Sequence, residues 1–439
     1  MKSSIADSPL FSIVIPVYKA RQYLHACLES IAAQSLDSFE VICVDDCSPD
    51  DSAKIVQEFS DSDSRFKLIR HKVNAGPGAA RNTGIREARG KWITFADADD
   101  FYIDNNFLEC AKQLMEVQKC DLLIFDLKEY DDLSQSVIPE SCRRFPYNIA
   151  REHRDHIWDQ SERKRYLFEI SPFPFTKIYS KDKLLKTNLL YPEHIFYEDC
   201  AFSNLASVTF ERIIAVSWQP YAYRQNIPGQ VTANITKHIE DIVPIHELIL
   251  KELNERELML RYDGFAKIKF ASIAIRSLVL YFLPQINDFS LAMDLVANIK
   301  SFLERLALSD EEMRRLKSIA PDDARVLKEM LKWSPGFLEM SRISIMGMPI
   351  LLYYRSLRIR KWCLFTRCLT LIKKEELSDW STKFCVLGIP ICVRKGCRLF
   401  LFGLIRFGNV FSLRYYSENF NFDLSMRNYL RTRDLSVFK

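Results

Sequence analysis

The chain has 439 residues, of which 48% are hydrophobic and 27% charged, with only 12 Gly. Its net charge of +4 divides into −8 over residues 1–341 and +12 over residues 342–439. At roughly 150 residues per domain this length predicts two or three domains, and the composition excludes a collagen-like chain and argues against wholesale disorder, because ample apolar surface is available to bury.

The first hundred residues alternate between strand and helix signals. Apolar, β-branched or aromatic runs predict four buried strands, at Phe11–Pro16, Phe39–Val44, Phe66–Ile69 and Trp92–Ala96. Apolar residues at helical spacing predict a helix that begins at Tyr23. A second helix is predicted with Ser48 as its N-cap, and a third at Ala79–Ala88. This alternation predicts a mostly parallel α/β sheet flanked by helices, on which ligands bind at the carboxyl ends of the strands.

The later parts of the chain have other sequence patterns. Residues 106–236 are mixed, with strands predicted at Leu122–Phe125 and Ile213–Val216, and residues 241–331 show helical spacing. In the basic tail, the segment Ile345–Ile350 recurs 41 residues later as Val386–Ile391. Two copies are too few to indicate a solenoid.

No membrane span or secretory signal is expected. The longest apolar stretch, Phe270–Leu283, is interrupted by Arg276, and Met1–Pro9 is polar with a single basic residue. The 12 cysteines are therefore expected in a reducing cytosol, mostly as small buried hydrophobes, because none has zinc-site spacing.

Two acidic groups follow predicted strands and should meet at one edge of the sheet. Asp97 and Asp99, spaced i and i+2, can share a divalent cation. Phosphate oxygens of the substrate and water would complete the coordination shell of this cation, although acidic turns are common without a metal. Asp45-Asp46 can accept hydrogen bonds from a base or a ribose, or can serve only to cap a helix.

Two further groups could complete a site. The glycine-rich stretch 74–84 permits close backbone approach and carries Arg81, which can neutralise a diphosphate. Glu198-Asp199 lies among aromatic residues, where burial raises a carboxylate pKa toward that of a general base, although a helix start explains the pair equally well. His71, near the glycine-rich stretch, is interpreted as a loop residue.

The order and spacing of these motifs resemble glycosyltransferase family 2, and the repeated Gly-x-Pro segments of the basic tail resemble tails of bacterial surface-glycan glycosyltransferases. The segments that carry the resemblance are Ile13–Tyr18, Cys27–Ser30, Phe39–Ser48, Asn74–Ile85, Phe95–Asp100, Lys177–Tyr179, Glu198–Phe202 and Tyr223-Arg224. The resemblance covers about Phe11 to Thr236, over half of the chain. The resemblance implies a GT-A fold and an inverting transfer of a sugar from a nucleotide donor, usually a UDP-sugar, dependent on Mn²⁺ or Mg²⁺.

The same resemblance implies roles for individual residues. The nucleotide and donor would contact Pro16, Val17, Tyr18, Asp46, Arg81, Asp97 and Ala98. Asp99, with Asp97, would bind the metal, and Asp199, beside Glu198, would be the catalytic base. Lys177 and Arg224 would contact acceptor or donor. Three positions depart from the family: Lys19 where Asn is usual, Cys47 where Gly is usual, and Thr176 where Asn is usual.

We therefore expect a catalytic domain over residues 1–236, with a nucleotide-binding half (11–105) and an acceptor half (106–236). A helical region (237–340) and a basic C-terminal region (341–439) follow. Within this basic region, residues 342–407 hold 13 Lys and Arg against 3 Asp and Glu, interleaved with apolar residues. Such a mixture suits an anionic membrane surface, or else the basic face of a small domain or oligomer interface.

The predicted function is a glycosyltransferase that extends a lipopolysaccharide, capsule or related lipid-linked glycan. We expect it to be peripheral at the inner face of the cytoplasmic membrane and not to bind nucleic acid, because no nucleic-acid-binding module is visible. One alternative is a nucleotide-sugar-binding scaffold without catalysis. Another is a sugar-phosphate nucleotidyltransferase, which would need a glycine-rich phosphate loop where Pro16–Lys19 stands.

Overall fold

The structure is a computed structural model. It describes residues 8–138, 149–227, 238–283 and 289–332, and the backbone of eight short strands between residues 339 and 401. The chain divides into two compact units, residues 1–331 and 332–439. Within the described part of the chain, no helix is long and apolar enough to cross a membrane.

The first unit contains eleven described strands. They are β1 (Phe11–Val17), β2 (Phe39–Asp45), β3 (Phe66–Arg70), β4 (Trp92–Phe95), β5 (Phe101–Tyr102), β6 (Leu122–Ile124), β7 (Leu127–Asp131), β8 (Ser136–Val137), β9 (Lys177–Ser180), β10 (Ile213–Ala215) and β11 (Tyr221–Gln225). Seven form the central sheet in the order β10-β6-β9-β4-β1-β2-β3. All pair in parallel except β9, which is antiparallel to both neighbours, so the predicted α/β class is confirmed.

Twelve α-helices are described. They are α1 (Leu24–Ala32), α2 (Ser52–Ser62), α3 (Pro77–Glu87), α4 (Phe107–Gln118), α5 (Gln160–Tyr166), α6 (Lys181–Thr187), α7 (Glu198–Thr209), α8 (Ile242–Glu255), α9 (Phe265–Ala274), α10 (Phe289–Leu306), α11 (Asp310–Ile319) and α12 (Pro321–Lys332). A π-helix, Ile275–Phe282, continues α9 directly.

The predicted cap of the second helix was wrong. Helix α2 begins at Ser52, and Ser48 lies four residues before it. The Ser48 hydroxyl instead contacts the backbone at the end of β1, accepting from the Lys19 N–H at 3.3 Å. Asp50 provides the hydrogen bonds at the start of the helix, because its carboxylate accepts from both the N–H and the hydroxyl of Ser52.

Two hydrophobic clusters cover the two faces of the central sheet. Successive residues of β1 alternate between them, with Val14 in one cluster and Ile13 and Ile15 in the other. The Val14 cluster continues through α7 into the helices of residues 242–332. Helix α3 also lies on this face so closely that a Cβ at Gly84 would stand 2.2 Å from a methyl carbon of Val14.

A second, four-stranded sheet in the order β5-β11-β7-β8 lies beside the first in the same unit. Its β11 pairs antiparallel with β5, which begins one residue after Asp100, and in parallel with β7. This pairing brings Arg224, on β11, next to the acidic residues that follow β4.

The second unit is described only as backbone strands. They are β12 (Glu339–Ile345), β13 (Met348–Arg355), β14 (Arg360–Leu364), β15 (Leu369–Thr370), β16 (Ile372–Glu376), β17 (Thr382–Val386), β18 (Ile389–Lys395) and β19 (Arg398–Leu401). β12–β15 form one antiparallel sheet and β16–β19 another.

The repeated segment coincides with one antiparallel pair in each of these sheets. Ile345 lies opposite Met348, and Val386 lies opposite Ile389. Each pair has a register shift two residues earlier, at Ile343/Ser344 and at Phe384/Cys385. The sequence repeat is therefore a structural repeat of two equivalent strand pairs. The predicted membrane contact of this region stays a prediction, and residues 402–439 lie outside the described residues.

Candidate active site

The predicted site residues lie at the carboxyl edge of the central sheet. Asp45 ends β2, and Asp97–Asp100 follow β4, on either side of β1. Because these three strands are parallel, their carboxyl ends share one edge, as the sequence predicted. At the end of β1, Tyr18 is exposed, Pro16 is half-buried and Val17 is buried in the core. Ala98, which follows β4, is buried in the same core. Val17 contributes to the rim through its carbonyl, which accepts from the Asp46 N–H at 2.9 Å.

Three carboxylates form a tight acidic cluster after β4. Oxygens of Asp97, Asp99 and Asp100 lie within 4.8 Å of one another. Burial and the Asp97 carboxylate raise the pKa of Asp99 to about 6. Burial and the carboxylates of Asp99 and Asp97 raise the pKa of Asp100 well above its usual value. The Asp100 Oδ2 atom is buried and has no hydrogen-bond partner among the described residues. Three crowded oxygen ligands and an unsatisfied buried oxygen fit a hard divalent cation. The sequence prediction had omitted Asp100 from this set.

Arg81 joins the acidic cluster to the start of helix α7. Its Nη1 donates to Glu198 Oε1 at 2.7 Å and its Nη2 to Asp97 Oδ1 at 3.2 Å. The guanidinium is buried and lies 5.4 Å from the centre of the Tyr191 ring. The adjacent carboxylates raise the pKa of Arg81 despite its burial, so the group stays charged. Arg81 is therefore a fixed positive charge between two predicted functional carboxylates.

Glu198 and Asp199 form the first turn of helix α7, where the helix dipole favours negative charge. Tyr197, at the helix N-cap, has a left-handed backbone with φ of 65°. Burial and the neighbouring Asp199 raise the pKa of Glu198 to about 7, and burial raises that of Asp199. Glu198 is buried against Arg81, whereas Asp199 is half-buried, with its Oδ1 accepting from the Cys200 N–H at 2.7 Å.

Close packing brings α7 against the glycine-rich stretch. A Cβ on Gly78 would lie 2.3 Å from the Pro192 carbonyl oxygen and 3.2 Å from the Glu198 side chain. Only glycine permits this approach, which places α3 and α7 in direct contact at the site.

Asp46 binds the loop that precedes helix α3. Its carboxylate accepts from the Ala75 and Gly76 N–H groups at 2.7–3.1 Å, and it lies 2.7 Å from His71 Nδ1. His71 Nε2 is 3.0 Å from the Thr83 hydroxyl, so this imidazole ties Asp46 to helix α3. His71 is a loop residue, as interpreted, but it also orients Asp46. No spacing in the sequence signals this contact, because residues 46, 71 and 83 meet only in the fold.

Lys177 and Arg224 are both largely buried. Lys177 Nζ donates to the carbonyl oxygens of Ser171 and Phe173 at 2.6 and 2.7 Å, and burial lowers its pKa to about 7. Arg224 donates from Nε to the Asp99 carbonyl and from Nη1 to Asp132 Oδ1, both at 2.8 Å. Its backbone N–H also donates to Asp100 Oδ1 at 2.7 Å. These contacts support the loops around the site.

Comparison with known proteins shows which family part of the chain resembles. The sequence model described as Glycosyl transferase family 2 matches residues 12–173, which hold the acidic cluster, Asp46 and Arg81. This stretch is therefore similar to family 2 glycosyltransferases. Asp199 lies beyond the matched stretch but contributes to the same constellation through Glu198 and Arg81.

Individual relatives are also named as glycosyltransferases. The chain is 28% identical over 225 residues to the uncharacterized glycosyltransferase EpsJ of Bacillus subtilis, covering 51% of this chain and 63% of that protein. It is 27% identical over 252 residues to the poly(ribitol-phosphate) beta-N-acetylglucosaminyltransferase TarS of Staphylococcus aureus, covering 56% and 41%. It is 47% identical over 108 residues to an uncharacterized glycosyltransferase of Haemophilus influenzae, covering 25% and 42%. The match therefore spans less than two thirds of each of these relatives.

The fold also has a solved counterpart. The crystal structure of residues 1–349 of TarS in complex with UDP-GlcNAc matches with a TM-score of 0.56 at 20% identity, covering 80% of this chain and 98% of that one. At this identity the likeness shows the fold alone, which is the GT-A fold.

Two departures from the family 2 pattern have a common backbone cause. Lys19 and Cys47 both have left-handed backbones, with φ of 53° and 60°. Asn and Gly, which the family uses at these positions, are the residues that adopt this conformation most readily. Lys19 and Cys47 therefore hold a backbone conformation that Asn and Gly would adopt at lower steric cost. Thr176, the third departure, is buried and donates through its hydroxyl to the Phe173 carbonyl at 2.9 Å.

Proposed function

We propose that this protein is an inverting, metal-dependent glycosyltransferase that transfers a sugar from a UDP-sugar to a hydroxyl group of a bacterial surface glycan. The observation that carries the proposal is the Arg81 bridge, which unites Asp97 of the acidic cluster with Glu198 of helix α7. One charged side chain thereby links the residues expected at the donor with those expected at the acceptor. The UDP-GlcNAc complex of TarS, a relative with the same fold, supports a UDP-sugar as donor.

The donor end of the reaction falls to the acidic cluster and Arg81. Asp97, Asp99 and Asp100 would hold a divalent cation such as Mn²⁺ or Mg²⁺, which offsets negative charge on a leaving diphosphate. Arg81 adds a fixed positive charge beside Asp97. Asp46 keeps residues 75–76 at the sheet edge, where Pro16 and Tyr18 would contact the nucleotide.

Asp199 is the general base in this proposal. Its carboxylate accepts the proton of the acceptor hydroxyl while that oxygen forms a bond to the anomeric carbon of the donor sugar. The bond between the anomeric carbon and the β-phosphate oxygen breaks, and its electron pair leaves with UDP. Attack from the face opposite the leaving group inverts the anomeric configuration. Glu198 is less suited to this role because it is buried and paired with Arg81.

Calorimetric titration with UDP, GDP and UDP-GlcNAc, with and without Mn²⁺, tests the donor site. We expect Mn²⁺-dependent binding of the uridine nucleotides, lost in Asp99→Ala and retained in Asp37→Ala, whose side chain is 98% exposed. Failure of every nucleotide to bind would contradict the proposal. Binding without release of UDP in the presence of any acceptor would favour a non-catalytic nucleotide-sugar-binding scaffold.

The acceptor is proposed to be a lipopolysaccharide, a capsule or a related lipid-linked glycan, reached at the inner face of the cytoplasmic membrane. The net charge of +12 over residues 342–439 supports contact with anionic headgroups, at roughly 1 kcal/mol per basic residue near the surface. Full-length protein should co-sediment with vesicles containing phosphatidylglycerol and not with purely zwitterionic vesicles. Equal binding to both would exclude an electrostatic membrane contact.

A further inference from the structure

Aromatic side chains of the helical region surround the residues that precede the proposed base. The ring of Phe196 stacks on the imidazole of His238, with centroids 3.3 Å apart and planes 9° from parallel. The Tyr197 ring meets Phe282 edge-on at 5.4 Å, and Phe282 meets Tyr281 at 5.0 Å. His238, Tyr281 and Phe282 belong to the helical region, and they lie beyond the stretch that matches the family, as do Phe196 and Tyr197.

Two of these rings are exposed although they are large and apolar. Phe196 is 36% exposed and Tyr281 is 39% exposed. Phe196 is nevertheless held in place, because its N–H donates to the Asp241 carboxylate at 3.1 Å while its ring rests on His238. An exposed aromatic ring that is fixed in this way provides a preformed apolar surface.

The position of this surface relates it to the acceptor. Phe196 stands three residues before Asp199, across the left-handed turn at Tyr197. A sugar ring presents a face of C–H groups, which packs favourably against the negatively polarised face of an aromatic ring. A hydroxyl of a sugar lying on Phe196 would therefore be near the proposed base.

The charges around this surface restrict what it can bind. Glu240 Oε1 lies 4.0 Å from His238 Nδ1, and Asp241 caps the Phe196 N–H. Both carboxylates are close enough to Tyr197 to raise its pKa together with burial. With Asp199 they make the surroundings acidic, which repels phosphorylated or carboxylated acceptors.

We propose that Phe196, stacked on His238 and accompanied by Tyr281, is the platform on which an uncharged acceptor sugar lies while Asp199 takes its proton. The proposal rests on the proposed function and specifies its acceptor as a neutral sugar ring. The contrast with TarS is direct, since that relative is named for a poly(ribitol-phosphate) acceptor.

Saturation-transfer NMR on the full-length protein with UDP and Mn²⁺ tests binding directly, without requiring turnover. The probes are methyl β-glucoside, methyl β-galactoside and methyl N-acetyl-β-glucosaminide, against ribitol 5-phosphate and glucose 6-phosphate. We expect signal from at least one neutral glycoside, none from the phosphorylated compounds, and a loss of about tenfold in affinity in Phe196→Ala. Phe196→Trp should retain binding because it preserves the ring, and Leu260→Ala, which truncates a 74% exposed residue of the same region, should leave it unchanged.

Calorimetry with UDP on the same variants separates this proposal from the proposed function. Phe196→Ala should bind UDP as the wild-type protein does, because its ring contacts His238 and not the acidic cluster. Normal UDP binding with no neutral glycoside bound, with preference for the phosphorylated probes, or with full sugar affinity in Phe196→Ala would overturn the platform and leave the donor site intact. A wild-type protein that binds no UDP would instead overturn the proposed function.

Discussion

Arg81 and Glu198 are 117 positions apart in the chain, yet Arg81 Nη1 lies 2.7 Å from Glu198 Oε1 in a buried ion pair. The pair joins helix α3, which follows the glycine-rich loop, to helix α7, which carries the proposed base. Arg81 also contacts Asp97, so its charge balances carboxylates on both sides. We therefore expect the relative position of the two halves of the site to depend on this side chain.

Replacing Arg81 should therefore damage both stability and activity. Arg81→Met leaves Glu198 buried without its partner, and we expect a loss of about 3 kcal/mol in the free energy of unfolding. Urea denaturation followed by circular dichroism measures it. Arg86→Met, on the same helix with a 56% exposed side chain 3.7 Å from Glu193, should cost less than about 1 kcal/mol. Equal effects of the two substitutions would show that the buried bridge contributes no more to the free energy of unfolding than an exposed ion pair does.

The proposed base can be separated from its neighbour. Asp199→Asn keeps the shape of the side chain but cannot accept the acceptor proton, so kcat should fall by about 10³-fold while UDP affinity is retained. Glu198→Gln should instead lower stability and donor affinity, because it weakens the bond to Arg81. UDP release and calorimetry distinguish these outcomes. Near-normal turnover in Asp199→Asn would transfer the role of base to another group.

Lys177 predicts a dependence of stability on pH. Burial lowers its pKa to about 7 in the folded protein, from 10.5 in the unfolded chain. Between these values the unfolded state binds more protons, so the contribution of Lys177 to stability rises as pH increases from about 7 toward 10.5. The slope cannot exceed about 1.4 kcal/mol per pH unit for one group.

Urea denaturation at pH 7, 8 and 9 should show this rise in the wild-type protein relative to Lys177→Met. The exposed Lys186 supplies the control, because Lys186→Met should retain the wild-type dependence. Parallel pH profiles for wild type and Lys177→Met would mean that the amine is not destabilised by its burial.

The left-handed backbone at Cys47 predicts a stabilising substitution. Cys47→Gly should be about 1 kcal/mol more stable than Cys47→Ala, because alanine keeps the steric cost of a φ of 60° and glycine does not. Thermal denaturation of the two variants gives the comparison, in which the thiol is absent from both. Equal stability would indicate that the turn relaxes without cost.

Local patterns in the sequence predicted much of the fold of this protein. The four predicted strands of the nucleotide-binding half lie where they were expected to within one residue, because short, mostly apolar runs rich in β-branched and aromatic residues, ended by proline or a charged residue, have few other interpretations. The helical spacing of apolar residues predicted after residue 241 includes Ile242, Ile245, Ile249 and Leu253, and all four are buried on helix α8. The acidic residues were expected at one sheet edge, since parallel strands end on the same side.

Only the tertiary structure decided which of these groups contact one another. The Arg81–Glu198 pair, the Asp46–His71–Thr83 chain and the stacking of Phe196 on His238 join residues from separate elements, and no local spacing encodes them. The same holds for Lys177 and Arg224, whose burial follows from the strands packed around them. Sequence periodicity reports which face of an element is apolar, whereas side-chain contacts depend on how those faces pack.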